Sequence, residues 1–518
     1  MLPFLNSGNK NSKKYIVQFR GLNLGEGYQE GDFSDCKNIS SALAPCVTQR
    51  SGRAVEAEYS APAAIHAKGE LFVIDGTNAI YGGKVVGTVN TERKQIVTVG
   101  KYIIIYPDKL CYNTEDGTFE SMDIVHTATS AVFTHNTITV AGAEWKFRKD
   151  DAVTISGCTK FEENNQCILV RKVEGDTLTF YDNSFKVHGD LAEGETAPTS
   201  YTEEGTLRFS REAPEMDFIC ESGYRLMGCK GSDIFVSALN DPFNFQSLEG
   251  LAGSSYNINV GTDGEWTGCA AYSSHVCFFK EHHIHKLYGN KPSNFQVITA
   301  KAYGVQKGSE RSICSINETL FYKGVNGIYA YSGGVPELVS HNFGTVKFAD
   351  ACATSDGDRY YISMRRGDEW KVYVYDVLRN IWVAEDEVQC VDMAFHDGCV
   401  HMLCADGKLL RVDETLARND LEWSVTLCPF NETMNERKGY SKFHLRLELA
   451  AGAWLTVEVK RDNARRWDKV YATHNERART ISIPVLPARC DSVEIRLSGK
   501  GECLLRTFIR EFFTGSDV

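Results

Sequence analysis

Arg311-Ser-Ile-Cys-Ser-Ile-Asn-Glu-Thr-Leu-Phe-Tyr-Lys323 is followed by Asn326-Gly327 and then by Ile328-Tyr-Ala-Tyr-Ser-Gly-Gly334. Two short alternating runs, a tight-turn dipeptide and a tyrosine-rich run describe three antiparallel strands in about twenty-five residues. The pattern recurs. Trp266 to Lys280 leads into His285-Lys-Leu-Tyr-Gly289, Ala351 to Met364 into Val372-Tyr-Val-Tyr-Asp376 and Ile381-Trp382, and Val391 to Leu403 across Asp406-Gly407 into Lys408-Leu-Leu-Arg-Val-Asp413. Units beginning near residues 222, 266, 311, 349 and 389 repeat every 38 to 45 residues. That is the length of one β-propeller blade.

Elementary packing favours this arrangement over its rival, an ordinary multi-sheet sandwich. A four-stranded antiparallel sheet cannot bury both faces alone, and blades stacked around an axis leave only short edges. Asp75-Gly76, Asp116-Gly117, Asn326-Gly327, Asp356-Gly357, Asp397-Gly398 and Asp406-Gly407 supply the positive φ angles that such hairpins need. Two further units lie upstream, from Ala63 to about residue 89 and from Gln95 to Asn113. With the later five they make about seven, enough for one ring. The fold class expected is all-β, a β-propeller of about seven blades with an inserted small β-barrel module and a C-terminal β-sandwich.

The rest of the chain divides around this ring. Residues 1–60 read as an N-terminal arm and extended segment, polar at the start and rich in turns from Glu26 to Arg53. Residues 61–126 hold the first blades and 207–414 the remaining ones. Between them, 127–206 carries short strands with period-2 alternation, such as Ala152-Val-Thr-Ile-Ser156, and predicts a small barrel. Residues 421–518 alternate strictly, as in Phe443-His-Leu-Arg-Leu-Glu-Leu449, and predict a half-buried antiparallel sandwich.

Composition narrows the chemistry. The 518 residues are 42% hydrophobic, with 44 Gly and only 12 Pro, as folded β-rich protein requires. A net charge of −12 argues against a general nucleic-acid-binding surface. No apolar run is long enough to span a bilayer, so no membrane insertion is expected. The 17 Cys include no Cys-x-x-Cys pair and mostly sit inside apolar strands, where a thiol packs as a small hydrophobe. Their odd number, without a secretory signal ahead of them, predicts reduced thiols and folding in a reducing cytoplasm.

Metal-capable side chains are densest at Glu281-His-His-Ile-His285, where Glu281, His283 and His285 share one face of a strand. Three such groups can hold zinc. The commoner explanation is the polar side of a blade strand, with no metal. Cys390, His396, Cys399, His401 and Cys404 alternate along one hairpin, which divides them between its faces and favours core packing. Asn113 to Phe119 is a single partial match to the turns of sialidase-type propellers. No G-x-S-x-G, P-loop or H-E-x-x-H stretch is present. No catalytic residue and no cofactor are predicted, and the chain is expected not to be an enzyme.

Phe19-Arg-Gly-Leu-Asn-Leu24, Asp35-Cys-Lys-Asn-Ile-Ser40 and Pro45-Cys-Val-Thr-Gln-Arg-Ser-Gly-Arg53 resemble the opening of tail and connector proteins of tailed bacteriophages. Ser237-Ala-Leu-Asn-Asp-Pro-Phe-Asn-Phe245, Ile328 to Gly334, and the ending around Pro487 to Asp491, Arg496 to Gly501 and Gly515 to Asp517 are similar to the same proteins. The likeness implies a virion structural protein, akin to tail nozzles or packaged-DNA stabilisation proteins of short-tailed phages. It would form a ring of the tail nozzle, tube or head–tail connector around the DNA exit channel. Its implied partners are further copies of itself in a six- or twelve-fold ring, other tail or portal-complex proteins, and DNA passing through the channel. Its implied location is the virion tail, after assembly in the host cytoplasm. A receptor- or glycan-binding propeller of the tail is the alternative, and a glycan hydrolase the third reading. The turn-rich arm cannot bury its own apolar residues on this view, so Leu22, Leu24, Phe33, Ile39 and Leu43 are expected to be assembly contacts on a neighbouring subunit.

The thiol expectation is directly measurable. The intact mass of non-reduced protein should equal that of the fully reduced chain, and a deficit of two hydrogens per pair would contradict it.

Overall fold

The computed structural model describes residues 12–514 except 182, 190–195, 248–249, 417–419, 475–478 and 487. Strands dominate throughout, and the helices among the described residues are single 3-10 turns. The chain forms two compact units, one of residues 68–304 and one of 1–67 with 305–518. The fold is all-β and its repeating element is the propeller blade.

Seven sheets have four strands each in antiparallel sequence. One covers Pro62–Lys68, Glu70–Asp75, Asn78–Tyr81 and Lys84–Thr88. Within 68–304 the next three begin at Gln95–Val99, Phe218–Ser222 and Trp266–Tyr272. Two more begin at Cys314–Ile316 and Ala349–Ser355. Several central strands are buried on both faces, as His275–Lys280 is throughout. Phe278, Phe279, Ile284, Tyr322, Ile328, Tyr360 and Ile362 are all fully buried, each worth about 1.5–3 kcal/mol of transfer from water.

The seventh sheet differs. Cys390–His396, Cys399–Cys404 and Lys408–Asp413 supply three strands, and the fourth is Gly52–Glu58. Lys408 pairs with Glu58 and Asp413 with Gly52 across an antiparallel ladder. A glycine is required beside this ladder. Gly407 has φ +95°, and a Cβ there would stand 2.2 Å from the carbonyl oxygen of Tyr59.

The inserted module is a barrel. Its strand order starts at Cys167–Leu169 and ends at Lys172–Glu174, with the long ribbon Ile124–Thr134 and Ser200–Arg211 at its centre. The two edge strands are consecutive, separated by Val170 and Arg171 alone. The sheet must therefore curl until its edges meet. Val170 bonds back to Asp151, and Arg171 to Thr179, at the two sides of the seam. Phe133, Ile138, Val153, Leu178, Phe180, Leu207 and Phe209 fill the interior. The paired ribbon begins at Ile124 and returns at Arg211, a little wider than the 127–206 predicted.

A sandwich closes the chain. One sheet orders Ser12–Ile16, Cys503–Thr514, Lys438–Leu449 and Thr480–Pro484. The other orders Gly21–Leu22, Asp32–Lys37, Glu422–Phe430, Val493–Lys500, Trp454–Arg461 and Asp468–Thr473. The alternation read in the sequence holds, with Phe443, Leu445, Val457, Val459, Ile495 and Leu497 turned inward.

The N-terminal segment corrects the sequence reading. Residues 1–60 do not form a separate arm over the described part, because 12–37 contributes three strands to the sandwich and 52–58 one to the last blade. The premise that it cannot bury its apolar residues unaided also fails. Leu22, Phe33 and Ile39 are buried in a core continuous with the sandwich and the last blades, and Leu24 packs against it. Only Leu43, 53% exposed, is free to meet another molecule. Sequence inspection missed this because the strands are short, and their partners lie hundreds of residues away.

Gly21 is a crowded point of this segment. Its φ is +87°, and a Cβ would stand 2.4 Å from the carbonyl oxygen of Trp382 and 2.6 Å from Ile381. Gly21→Ala should destabilise the protein by about 1–3 kcal/mol or more in chemical denaturation. Gly253→Ala, at an open position without a positive φ, should change it by less than about 0.5 kcal/mol. Equal effects would contradict the placement of the segment.

Candidate functional site: the joints between modules

Asn38 sits where three pieces of chain meet. Its backbone is left-handed at φ 55°, a conformation that Asn tolerates better than most residues. Its amide donates to the Glu385 carbonyl at 2.5 Å, and its side-chain nitrogen to the Glu422 carbonyl at 2.8 Å. Its side-chain oxygen accepts from Arg50 Nε at 2.8 Å. One buried residue thus links a blade through its backbone amide, and the sandwich and the rest of the N-terminal segment through its side chain.

Charged groups reinforce the same joint. Arg53 contacts Glu385 and meets Asp386 Oδ2 at 2.9 Å, and Arg50 Nη2 meets the same oxygen at 3.1 Å. Both guanidiniums and both carboxylates are largely buried. Burial works against the charge on Arg53, but the two carboxylates outweigh it and hold the guanidinium above its ordinary range. Ser41 Oγ donates to Asp376 at 2.8 Å, and Lys371 Nζ meets Asp35 at 2.8 Å. At the other end of the segment, Asn23 donates to Asp32 at 2.8 Å, and the Leu24 amide donates to the Asn342 carbonyl at 2.7 Å.

A second buried cluster lies in the sandwich beside a cavity of about 310 Å³. Arg510 Nε meets Glu432 Oε1 at 2.5 Å and its Nη2 meets Glu30 at 2.7 Å, while Lys14 lies 3.2 Å from Glu432. The Phe430 ring lies 4.0 Å from the guanidinium carbon, and Tyr440 donates to Glu432 at 3.1 Å. Burial opposes charge on Glu432, yet the Arg510 contact prevails and holds its carboxyl below the usual range.

The third joint seats the barrel. Arg225 is fully buried and donates through its two terminal nitrogens to the carbonyls of Ser237, Ser254 and Ala252 at 2.7–2.8 Å. These bonds shape the loop that follows Asp233–Val236, and the loop carries Asn240-Asp-Pro-Phe-Asn244. From it Asn244 Nδ2 donates to the Asp150 carbonyl at 3.2 Å, and the Phe243 ring covers Arg211. Arg211 in turn meets Asp151 at 2.5 Å, both buried.

The other predicted candidates resolve differently. His285 is fully buried, with its ring nitrogens 3.0 Å from Thr262 Oγ1 and 2.8 Å from Thr299 Oγ1. Burial, with Lys280 and His283 nearby, pushes it down to about 4. Both nitrogens are engaged, so His285 is a satisfied blade position; His283 begins the same strand, whereas Glu281 lies in the turn before it and not on the strand face expected. Among the described residues no group of His, Cys, Asp and Glu is placed to hold a metal. Cys390 and Cys404 face each other in register, buried, while His401 is 3.0 Å from Glu56 on the closing strand. All 17 cysteines are free thiols in the structure. Asn38, Arg50, Arg53, Arg225, Glu432 and Arg510 had no sequence signal beyond the short motifs. Their importance depends on partners far along the chain.

No protein-family model matches this chain, and no curated protein does. Among solved structures it is similar to BamB from Moraxella catarrhalis at 10% identity, over 70% of this chain and 97% of that one, with a TM-score of 0.32. It is also similar to Hsv2 from Kluyveromyces lactis at 10% identity, over 72% and 95%, with a TM-score of 0.24. An exo-β-1,3-galactanase from Phanerochaete chrysosporium matches at 10% identity, over 55% and 94%, with a TM-score of 0.20. Likeness this loose bears on neither activity nor partners.

Glu432 makes the sandwich joint pH-sensitive. A carboxyl held below its unfolded value adds stability above about pH 4.3 and loses it as pH falls through the folded value. Unfolding free energy should therefore decline in acid, and Glu432→Gln should flatten that decline. The same variant should cost about 3–5 kcal/mol near neutrality, because Arg510 is left buried without its main counter-charge. An unchanged acid limb in urea titrations would refute the assignment.

Proposed function

We propose that this chain is a structural protein of a tailed-bacteriophage virion, a subunit of a ring in the tail nozzle, tube or head–tail connector around the DNA exit channel. The observation that carries this reading is where the family-like motifs fall. Gly21 to Leu24, Asn38 to Ser40, Arg50 to Arg53 and Ser237 to Phe245 all lie at joints between modules. Their residues hold one module against another and line up no reactive groups. Residues with that role serve a rigid building block.

Energetics supports the same use. Each joint rests on buried Arg–carboxylate pairs or on an Arg capped by carbonyls, and breaking such a pair is strongly unfavourable. Joints of this kind fix the neighbouring modules within each unit in one register. The reading brings with it a cyclic homo-oligomer of six or twelve copies, neighbouring tail or portal-complex proteins, assembly in the host cytoplasm and a place in the tail. It assigns no catalytic role, cofactor or metal.

The test is immunogold electron microscopy. Antibody against the purified chain should label one end of the tail on particles banded from lysates in which the chain is made, and peptides of the chain should co-purify with those particles. Particles that lack the chain would overturn the proposal. Binding to host-surface glycans by the free protein, together with unlabelled particles, would instead favour the receptor- or glycan-binding alternative.

A further inference from the structure

The hairpin between Trp454–Arg461 and Asp468–Thr473 presents a basic tip on an acidic chain. Two successive left-handed residues, Asp462 at φ 47° and Asn463 at φ 55°, turn the chain. The Ala464 amide then donates to the Arg461 carbonyl at 2.9 Å. Behind the tip the Trp467 ring is flanked by Lys460 Nζ at 5.1 Å and the Arg496 guanidinium at 4.5 Å. Cation–π contacts on such a ring stiffen the hairpin, so little freedom remains to be lost on docking.

The nearby carboxylates are already engaged. Glu494 pairs with Lys460 at 2.7 Å, Glu458 with Arg496 at 2.8 Å and Asp468 with Arg461 at 3.3 Å. Asp462 Oδ1 accepts from the amides of Asp491 and Ser492. Arg465, Arg466 and Lys469 remain, all exposed and paired with no carboxylate among the described residues. Arg465 and Arg466 in the turn, with Lys469 at the start of the returning strand, are open to an anionic surface.

We propose that this tip is one half of a head-to-tail interface between copies of this chain. Arg465, Arg466 and Lys469 of one copy dock on the blade loops of the next at Asp356, Asp413 and Glu414. Those carboxylates line a cavity of about 510 Å³, where Arg411 lies 3.2 Å from Asp413 and Arg359 lies 3.8 Å from Asp356, so that among the described residues Glu414 is the carboxylate left without a cation. Glu414 is exposed. Arg matches a carboxylate with two parallel donors, which gives the contact register as well as attraction. Tip and loops are different surfaces of one subunit, so the contact is heterologous and generates a ring when its rotation closes. Duplex DNA is the other polyanion such a tip could meet, but a chain of net charge −12 repels it at long range. The inference deepens the ring reading above and rests on it.

Mass photometry and sedimentation velocity of the full chain, from about 50 to 500 mM salt, test it. The wild type should assemble at low salt and dissociate as salt rises. Arg465→Glu with Arg466→Glu should weaken assembly by about tenfold or more while leaving the melting temperature unchanged. Mixing that variant with one carrying Asp413→Lys and Glu414→Lys should restore mixed assemblies through the reversed charges. Salt-independent assembly, or assembly untouched by reversal at the tip, would overturn the interface and leave the virion reading standing. A monomer at every salt concentration would also overturn it. If that monomer shifted duplex DNA through Arg465 and Arg466, the tip would be a nucleic-acid contact. Absence of the chain from particles is read by the labelling experiment and is a separate failure.

Discussion

Pairing of Gly52–Glu58 with Lys408–Asp413 is the constraint on which the architecture depends. It joins residues some 350 positions apart and makes the N-terminal segment part of the last blade. Such a contact is thermodynamically cheap, since doubling a loop adds only about 0.6 kcal/mol of closure entropy. Kinetically it is demanding, because non-local strand pairing slows folding. The segment before it must also be in place. Residues 12–37 thread the sandwich, 38–50 cross the outer strand of a neighbouring blade, and only then does the closing strand begin.

Buried charge specifies that path. Apolar packing alone would let the segment slide, since Leu22, Phe33 and Ile39 fit any dry groove. Arg50 and Arg53 tolerate one location, beside Glu385 and Asp386, and Arg510 one partner set at Glu432 and Glu30. Such groups add little net stability relative to a well-packed apolar core, but a misplaced one is severely penalised. Asn38 adds the same selectivity without charge, because its side chain donates to the Glu422 carbonyl and accepts from Arg50 at once. The barrel follows the same rule, with Arg211, Asp151 and the Arg225-shaped loop at its base.

These joints also explain why the motif-bearing stretches looked like surface features. Gly-Leu-Asn-Leu and Lys-Asn-Ile-Ser lack the alternation of a long strand and carry turn residues, so they read as an exposed arm. Turn chemistry and burial are independent, however. A left-handed Asn or a crowded Gly is as useful under a blade as on the surface.

Much of the fold was legible from local periodicity. The repeat near 40 residues, the Asp-Gly and Asn-Gly turns, the period-2 strands of the insertion and the strict alternation after residue 421 each depend on neighbours in sequence, and each is realised as a blade, barrel or sandwich. The strand position of His283 and His285 was also readable, whereas Glu281 falls in the turn before that strand. Tertiary structure alone decided which edge received the N-terminal strands, because a free edge of any sheet offers the same backbone donors and acceptors. It alone decided whether Leu22 and Phe33 faced the chain's own core or a neighbour, since the hydrophobic effect does not distinguish them. Arg53, Arg225 and Arg510 stayed invisible for a related reason. A charge in a sequence is presumed solvated until its partner is known, and those partners lie from 12 to 480 residues away.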